Sequence, residues 1–271
     1  MAYAKLENLS IYYEVHGQGR PLIILNGIMM STASWQAFVE SFSQHHQLIL
    51  LDLVDQGKSS KMNVAYDQSL QVKAVHAVVE ELNLQDIALF GISYGGEVAM
   101  HYAIAHPSKV GRLMLFNTTA KTNSWLREIG YAWNRAAENP EAYYSTTIPV
   151  IYSAGFFEKN IEWMNRRKEF LMGVFSNQEF IQAMIRLTNS AEHHDVEEKL
   201  SKLTMPVLVV GCEHDYITPF EEQKKIAALI QNSELVMIPD SGHASMYEKP
   251  RLFTSLVLGF TLADRITFKV N

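Results

Sequence analysis

The sequence predicts an α/β fold, in which a mostly parallel sheet is flanked by helices and interrupted by one helical lid insertion. Three features support this prediction: short apolar runs of strand length, segments of helical periodicity between them, and one long aromatic-rich stretch without such runs. Strands covered on both faces read as continuous apolar runs, and their alternation with helices is typical of βαβ units. A chain of 271 residues is long enough for one such domain with an insertion.

Parallel strands are predicted at six apolar runs that are rich in branched aliphatic residues. These runs cover residues 22–25, 48–54, 87–90, 113–116, 207–210 and 235–238. Ahead of the first run, the segment "LSIYYEVHG" places Ile11, Tyr13 and Val15 on one face. This alternation predicts an antiparallel strand at the start of the sheet.

Helices are predicted between these strands from apolar residues at i, i+3, i+4 and i+7. The pattern covers residues 35–42 and 75–82, and a shorter version covers residues 226–230. A final helix is predicted over residues 249–266, with Pro250 in its first turn, where proline is well tolerated. Helices that link parallel strands in this way predict right-handed crossovers.

The lid insertion is predicted where this alternation stops. Residues 121–200 contain no run that resembles the predicted strands, but they are rich in aromatic side chains. The predicted organisation is therefore an α/β core of residues 1–120 and 201–271 and a helical lid of residues 121–200.

Composition disfavours several classes of partner and site. The formal net charge of −6 disfavours nucleic acid and anionic membranes as partners. A single cysteine, Cys212, excludes an internal disulfide and a cysteine-rich metal site. No apolar run approaches the roughly 18 residues of a membrane span, and the first residues lack the pattern of a signal peptide. We therefore expect a cytoplasmic protein that acts on a small molecule.

A candidate nucleophile lies in "FGISYGGEVAM", residues 90–100. Ser93 follows a predicted strand, precedes a segment of helical period, and has glycines at positions 91, 95 and 96. The central residue of such a tight strand-to-helix turn is strained, and neighbours without a Cβ relieve the crowding. We expect its hydroxyl at the end of the sheet, beside helix N–H groups that favour developing negative charge.

A serine hydroxyl needs a base to become a good nucleophile, and His243 is the candidate among ten histidines. It lies in "IPDSGHASMYEKP", just after the run 235–238, at the edge where parallel sheets place their sites. The other histidines lie in predicted helices, polar connections or the insertion. We interpret them as surface or capping residues.

Asp215 is the candidate carboxylate that orients the imidazole and stabilises its charged form. It lies in "GCEHDYITP", after the run 207–210 and at the same predicted edge of the sheet. Asp240 is nearer to His243 in sequence, but its position suits turn capping. Asp52 and Asp55 follow an earlier strand and are the weaker alternatives.

These segments resemble the α/β-hydrolase family, in its small lid-bearing branch. The similarity covers nearly the whole chain, and its specific pieces are "GISYGG", "GCEHDYITP" and "DSGHASMYEKP". The order Ser93, Asp215, His243 is the order of that family's catalytic triad. The resemblance implies ester-like acyl transfer to water through an acyl-serine, with an oxyanion hole formed by the backbone N–H groups of Ile28 and Tyr94. It implies no metal and no organic cofactor.

The chain departs from the family pattern in two places. Relatives usually read His-Gly-x where this chain has Asn26, Gly27 and Ile28, which changes the hydrogen bonds that support the loop. In "DLVDQGKSS", Val54 and Asp55 stand where arginine and glycine are usual. Asp55 either faces the pocket mouth or caps a turn, and the sequence favours the turn.

The predicted substrate is a small or medium apolar carboxylic ester, because the lid is rich in aromatic residues and methionines. The same residues also simply pack helices, and five arginines of the lid leave a charged substrate open: Arg127, Arg135, Arg166, Arg167 and Arg186. The same triad supports carbon–carbon bond hydrolysis, lactone opening, thioester hydrolysis or acyl transfer. A ligand receptor that keeps the fold is an alternative of a different class, and a homodimer through the lid or the last helix is left open.

Overall fold

Eight strands form a single sheet in the computed structural model, which describes residues 2–263. The strands are β1 (Ala2–Leu6), β2 (Leu9–His16), β3 (Pro21–Leu25), β4 (Gln47–Leu51), β5 (Ile87–Ile92), β6 (Val110–Phe116), β7 (Val207–Cys212) and β8 (Ser233–Ile238). Their spatial order is β1-β2-β4-β3-β5-β6-β7-β8. Strand β2 pairs antiparallel with β1 and β4, and the other neighbouring pairs are parallel. The predicted mostly parallel sheet with an antiparallel start is confirmed.

The helices lie in the connections between strands and after the last strand. They are α1 (Val39–Ser43), α2 (Ser69–Glu81), α3 (Tyr94–Ala105), α4 (Ser124–Ala136), α5 (Pro140–Ile151), α6 (Ala154–Lys159), α7 (Ile161–Phe175), α8 (Gln178–Ser190), α9 (Phe220–Leu229), α10 (Ser245–Glu248) and α11 (Pro250–Thr261), with 3₁₀ segments at Thr32–Phe38 and Glu197–Lys202. The predicted final helix ends at Thr261, and its predicted stretch over residues 264–266 lies outside the described residues. Across residues 2–263, the helices are too short or too polar to cross a bilayer.

The pleat of the parallel strands divides their side chains between two apolar layers. Leu89 packs in one layer with side chains of α2 and α3, whereas its neighbour Phe90 packs in the other layer with Trp35 and Phe253. Both faces of the sheet are thus covered, which explains the continuous apolar runs in the sequence. Each large apolar side chain buried in this way contributes about 1.5–3 kcal/mol to folding.

One strand prediction extends too far along the chain. Strand β4 ends at Leu51, although the apolar run continues to Val54. Asp52 ends the strand because its carboxylate accepts hydrogen bonds from the backbone N–H groups of Thr32, at 2.6 Å, and Lys58, at 2.8 Å. The chain therefore turns at this point, and Val54 is buried as a turn residue.

Helices α4 to α8, residues 124–190, lie between β6 and β7, and we call them the insertion. Its two ends approach each other on the sheet domain, where Lys121 and Asp195 form an isolated antiparallel bridge. Lys121 Nζ lies 2.6 Å from Asp195 Oδ2, and the Thr122 N–H donates to the His194 carbonyl at 2.9 Å. The chain thus leaves and re-enters the sheet domain at one place.

Candidate active site

Ser93 is the N-cap residue of α3, in the turn between β5 and this helix. Its φ of 54° and ψ of −125° are values that residues other than glycine rarely adopt. The Ser93 N–H donates to the Phe116 carbonyl at 2.9 Å, and the Thr118 hydroxyl donates to the Ser93 carbonyl at 2.8 Å. Bonds on both sides of this residue therefore hold the strained turn, and Ser93 lies on the wall of a cavity.

The glycines beside Ser93 are required because backbones approach each other closely here. A Cβ on Gly91 would lie 2.3 Å from the carbonyl oxygen of Gly95, and a Cβ on Gly95 would lie 2.2 Å from the carbonyl oxygen of Leu25. Both distances are far shorter than a van der Waals contact. Helix α3 can therefore begin directly after β5, against the end of β3, only if these positions carry no side chain.

Asp215 and His243 meet from the loops that follow β7 and β8. His243 Nδ1 lies 2.8 Å from Asp215 Oδ2, and both residues are buried. Asp215 Oδ1 accepts hydrogen bonds from the backbone N–H groups of Ile217 and Thr218, each at 2.9 Å. A carboxylate held in this way accepts a hydrogen bond from Nδ1–H and leaves the other ring nitrogen, Nε2, able to accept a proton.

The Asp215 carboxyl is ionised although it is buried. Burial raises its pKa, but the charge of His243 and hydrogen bonds from Thr218 and Asn117 bring it below its ordinary value. Asn117 Nδ2 donates to Asp215 Oδ2 at 2.9 Å, and Asn117 Oδ1 accepts from the Ser245 hydroxyl at 3.1 Å. An ionised carboxylate beside a histidine ring favours the charged form of that ring.

The alternative carboxylates serve other interactions. Asp52 binds backbone N–H groups in the turn after β4, and Asp240 is exposed in a turn after β8 with a φ of 48°. Asp55 Oδ1 accepts from the Met62 N–H at 2.9 Å, so Asp55 caps a turn. In the part of the chain that the structure describes, none of these three carboxylates hydrogen bonds to His243.

Asp55 also joins the turn after β4 to the insertion. Arg186 of α8 donates from Nε to Asp55 Oδ2 at 2.9 Å and from Nη2 to Asp55 Oδ1 at 2.8 Å. The Asp55 side chain is fully buried, and that of Arg186 is 16% exposed. The departure from the family pattern at this position therefore supplies a bidentate ion pair between the sheet domain and α8.

The loop after β3 lies against Ser93. A Cβ on Gly27 would lie 3.6 Å from Ser93 Cβ. Within residues 2–263, the backbone N–H groups of Ile28 and Tyr94 donate no hydrogen bond to protein, and both residues line the same cavity as Ser93. Unpaired N–H groups beside a serine hydroxyl are the kind of donors that stabilise an oxyanion.

Asn26 supplies the hydrogen bonds that support this loop. Its amide nitrogen donates to the Leu51 carbonyl at 2.8 Å and to Gln56 Oε1 at 3.1 Å, and its oxygen accepts from the Trp35 indole at 2.7 Å. Gln56 Nε2 in turn donates to the Gly27 carbonyl at 2.8 Å. Sequence reasoning assigned no role to Gln56, although its position inside the divergent segment "DLVDQGKSS" was a usable signal.

Glu248 holds the loop that carries His243, and sequence reasoning missed it. Its buried carboxylate accepts from the Gly242 N–H at 3.1 Å, the Ser153 N–H at 2.9 Å and the Ser153 hydroxyl at 2.5 Å. The loop is thus joined to the residues that follow α5. A glutamate on a short helix after a histidine usually faces solvent, so its spacing carries no signal.

Glu97 is a buried carboxyl on the cavity wall, one helical turn after Ser93. Burial raises its pKa from 4.5 to about 8, and a hydrogen bond from Gln68 Nε2, at 2.6 Å, opposes this rise. The group is therefore mostly neutral at pH 7. The sequence indicated only a helical position for Glu97, where a charged residue is usually solvated.

The cavity measures about 460 Å³ and lies between the carboxyl ends of the strands and the insertion. Ser93 and His243 both line it, and most of its other wall is apolar. The apolar side chains that the insertion contributes include Leu126, Ile129, Ile148, Ile151, Leu171 and Val174. Its volume is in the range of small-molecule sites. The structure thus brings the predicted nucleophile and base to one cavity.

A group of potential metal ligands lies outside this cavity. Glu213, His214 and Asp240 offer ligand atoms within 4.8 Å of one another, and all three residues are exposed. One Glu213 oxygen already accepts from the Asp240 N–H at 3.0 Å. Exposed acidic groups of this kind are common without an ion, so we assign no metal here.

Comparisons with known proteins give a consistent family. A family model described as the alpha/beta hydrolase fold matches residues 20–250. The crystal structure of MGS-M2, an alpha/beta hydrolase enzyme from a Medee basin deep-sea metagenome library, is 44% identical, with a TM-score of 0.96, over 99% of this chain and 100% of that chain.

Curated relatives are more distant in sequence. A pimeloyl-[acyl-carrier protein] methyl ester esterase of Nitrosomonas europaea is 27% identical over 91% of this chain and 97% of its own length. A putative carbamate hydrolase, RutD, of Azorhizobium caulinodans is 24% identical over 96% of this chain and 98% of its own length. The region that the family model matches includes Ser93, Asp215 and His243.

Proposed function

This chain belongs to the α/β-hydrolase family and is a hydrolase, and we propose that it cleaves a small to medium apolar carboxylic ester through an acyl-serine intermediate. The observation that carries this proposal is the buried Asp215–His243 pair, with 2.8 Å between Oδ2 and Nδ1, beside a cavity that Ser93 also lines. A strained serine and an oriented imidazole in one apolar cavity form the constellation that acyl transfer needs.

The proposed reaction begins when Ser93 Oγ attacks the carbonyl carbon of the ester while His243 Nε2 takes the hydroxyl proton. Asp215 keeps the imidazole oriented and stabilises its charged form. The backbone N–H groups of Ile28 and Tyr94 bind the oxyanion, and loss of one such donor typically lowers kcat about 10²–10³-fold. His243 then protonates the leaving alcohol, and a water molecule repeats the cycle on the acyl-serine.

The insertion is proposed to act as a lid. The predicted lid unit, residues 121–200, contains it and is distinct from the core of residues 1–120 and 201–271. Its apolar side chains on the cavity wall support this role and an apolar body for the substrate. Excluding water from the site strengthens the hydrogen bonds to the oxyanion. The expectations of a cytoplasmic location and of a homodimer stay predictions.

Initial rates with p-nitrophenyl esters of rising acyl length test the proposal. We expect turnover with a maximum at short or medium chains, and a loss of about 10⁴-fold or more in kcat for Ser93→Ala and His243→Ala. Ser255→Ala, on the exposed face of α11, is the matched control and is expected to keep wild-type rates. Full activity of Ser93→Ala would reject the proposal.

The same panel separates the other reactions of this triad. The competing substrates are thioesters, lactones and compounds with a carbon–carbon bond next to a ketone. An added alcohol tests acyl transfer. Tight binding of a ligand with negligible turnover on every substrate would instead favour a receptor on this fold.

A further inference from the structure

Arg167 is a cation on the cavity wall that forms no ion pair with a carboxylate of the described residues. It belongs to α7 of the insertion and lines the cavity together with Ser93 and His243. Its Nε is buried and has no hydrogen-bond partner, and no carboxylate within residues 2–263 lies within 4.0 Å of its guanidinium. Its polar neighbour is the Tyr152 hydroxyl. Burial raises the pKa of this hydroxyl, and Arg167 opposes that rise.

Three aromatic rings hold this guanidinium in place. Arg167 Cζ lies 4.9 Å from the centroid of Tyr247, 5.4 Å from that of Trp163 and 5.9 Å from that of Tyr152. Stacking on aromatic faces stabilises the cation without using its N–H donors. These ring contacts therefore leave N–H donors of the guanidinium available to an anion.

The Arg167 site adjoins the loop of the proposed base. The Ala244 N–H, next to His243, donates to the Ile151 carbonyl at 3.1 Å, and Tyr152 follows directly. Glu248, the nearest buried carboxylate in sequence to Tyr247, already binds Gly242 and Ser153 through both oxygens. Arg167 and His243 thus line one cavity, and the Glu248 carboxylate is hydrogen bonded to Gly242 and Ser153 rather than to Arg167.

Other cations of the insertion differ from Arg167. Arg186 is paired with the buried Asp55, and Lys168 Nζ lies 3.9 Å from a Glu141 oxygen. Arg127 also lines the cavity, and its Nε has no partner in the described residues, but it acts electrostatically on Tyr131, whose hydroxyl donates to Glu192 Oε1 at 3.1 Å. Arg167 is therefore the cation in the cavity best suited to meet a charge that arrives with the substrate.

We propose that the natural substrate is an ester that carries a second, free carboxylate, and that Arg167 binds this carboxylate. The proposal rests on the proposed ester hydrolysis and specifies its substrate class. The apolar wall accommodates the chain between the two groups, and the guanidinium fork binds the distal anion with two N–H donors. Arg167 is in this sense a residue of substrate specificity.

The test compares two methyl esters of equal chain length, monomethyl adipate and methyl hexanoate, by release of methanol. The quantity measured is the ratio of kcat/KM for the anionic ester to kcat/KM for the neutral ester. We expect Arg167→Met to lower this ratio about 10- to 100-fold, since a charged hydrogen-bonded pair is lost. Arg167→Lys keeps the charge and loses the planar pair of donors. Its ratio is expected to lie between those of the wild type and Arg167→Met.

Arg166→Met is the matched control, because Arg166 is the adjacent residue on α7 and is exposed. It is expected to leave the ratio at the wild-type value, and circular dichroism checks that each variant is folded. A change of less than threefold in Arg167→Met, or an equal loss on both esters, would reject the anion site and leave a purely structural aromatic contact.

Binding without turnover separates this proposal from the function it rests on. Calorimetry with monomethyl adipate on Ser93→Ala, with and without Arg167→Met, needs no catalysis. We expect at least tenfold weaker binding when Arg167 is replaced. If binding follows this pattern but no ester is hydrolysed, the proposed reaction fails and the anion site stands. If methyl hexanoate is hydrolysed and binding does not depend on Arg167, the anion site alone fails.

Discussion

The carboxyl edge of the sheet and the insertion contribute to the same cavity in different ways. At the sheet edge, the polar side chains that support the site are hydrogen bonded to protein, as Asp215 is to His243 and Asn26 is to Gln56. On the insertion side, the Nε atoms of Arg127 and Arg167 are buried without a partner in the described residues. Groups fixed in advance suit a reaction centre, whereas an unsatisfied donor suits a ligand. The comparison suggests that the sheet edge performs the reaction and the insertion selects the substrate.

Asp215→Asn tests the sheet-edge side and has the largest expected effect. The amide can keep the packing, but it no longer favours the required tautomer or the imidazolium of His243. We expect kcat for a p-nitrophenyl ester to fall about 10⁴-fold, with little change in the structure. Asp240→Asn, in the exposed turn after β8, is the control and is expected to keep full activity. A loss below tenfold in Asp215→Asn would show that His243 does not depend on this carboxylate.

Arg186→Met tests how firmly the insertion is joined to the sheet domain. It leaves the fully buried Asp55 carboxylate without its cation, and such a change typically destabilises a protein by about 3–5 kcal/mol. Urea unfolding measures the loss, and adding Asp55→Asn is expected to recover part of it. Lys224→Met removes the exposed pair with Glu221 and is expected to change little. Equal stability of Arg186→Met and wild type would rule out an energetic role for this link.

Glu97→Gln has the smallest expected effect on stability, and the size of this effect depends on pH. Below about pH 4.5 the carboxyl is protonated in both the folded and the unfolded chain, so it has no effect on stability. Between about pH 4.5 and 8 the unfolded chain loses this proton and the folded chain keeps it, so stability falls as pH rises. Glutamine removes this dependence because it does not ionise.

We therefore expect Glu97→Gln to be more stable than wild type at pH 8.5, by on the order of 1–4 kcal/mol, and nearly equal at pH 5. Thermal unfolding at the two pH values measures the difference. Glu213→Gln, on an exposed residue, is the control and is expected to show no such pH-dependent gain. A gain that is the same at both pH values would mean that Glu97 is not neutral in the fold.

The parts of the fold and of the site that could be predicted from the sequence depend on local features. The strands were predictable because both faces of the sheet are apolar, and the turn at Ser93 was predictable because Gly91 and Gly95 cannot carry side chains there. The loops after β7 and β8 were located by their position after predicted strands. Each of these signals is local in sequence.

Interactions between distant segments left no such local signal. The pairs of Asp55 with Arg186 and of Glu248 with Ser153 join residues far apart in the chain. The end of β4 at Leu51 was mispredicted because tertiary hydrogen bonds to Asp52 outweigh an apolar run. Arg167 could be identified as a residue of the insertion, but only the packing decides whether it faces solvent or the cavity.

The most direct test of the proposed reaction is labelling of the intact protein with a fluorophosphonate, followed by mass spectrometry of its peptides. A serine activated by a neighbouring imidazole reacts with this probe, whereas an ordinary serine does not. The expected result is a single adduct on Ser93 that is lost in Ser93→Ala and strongly slowed in His243→Ala. An unlabelled wild-type protein, or a label that persists on another serine in Ser93→Ala, would contradict the role proposed for Ser93.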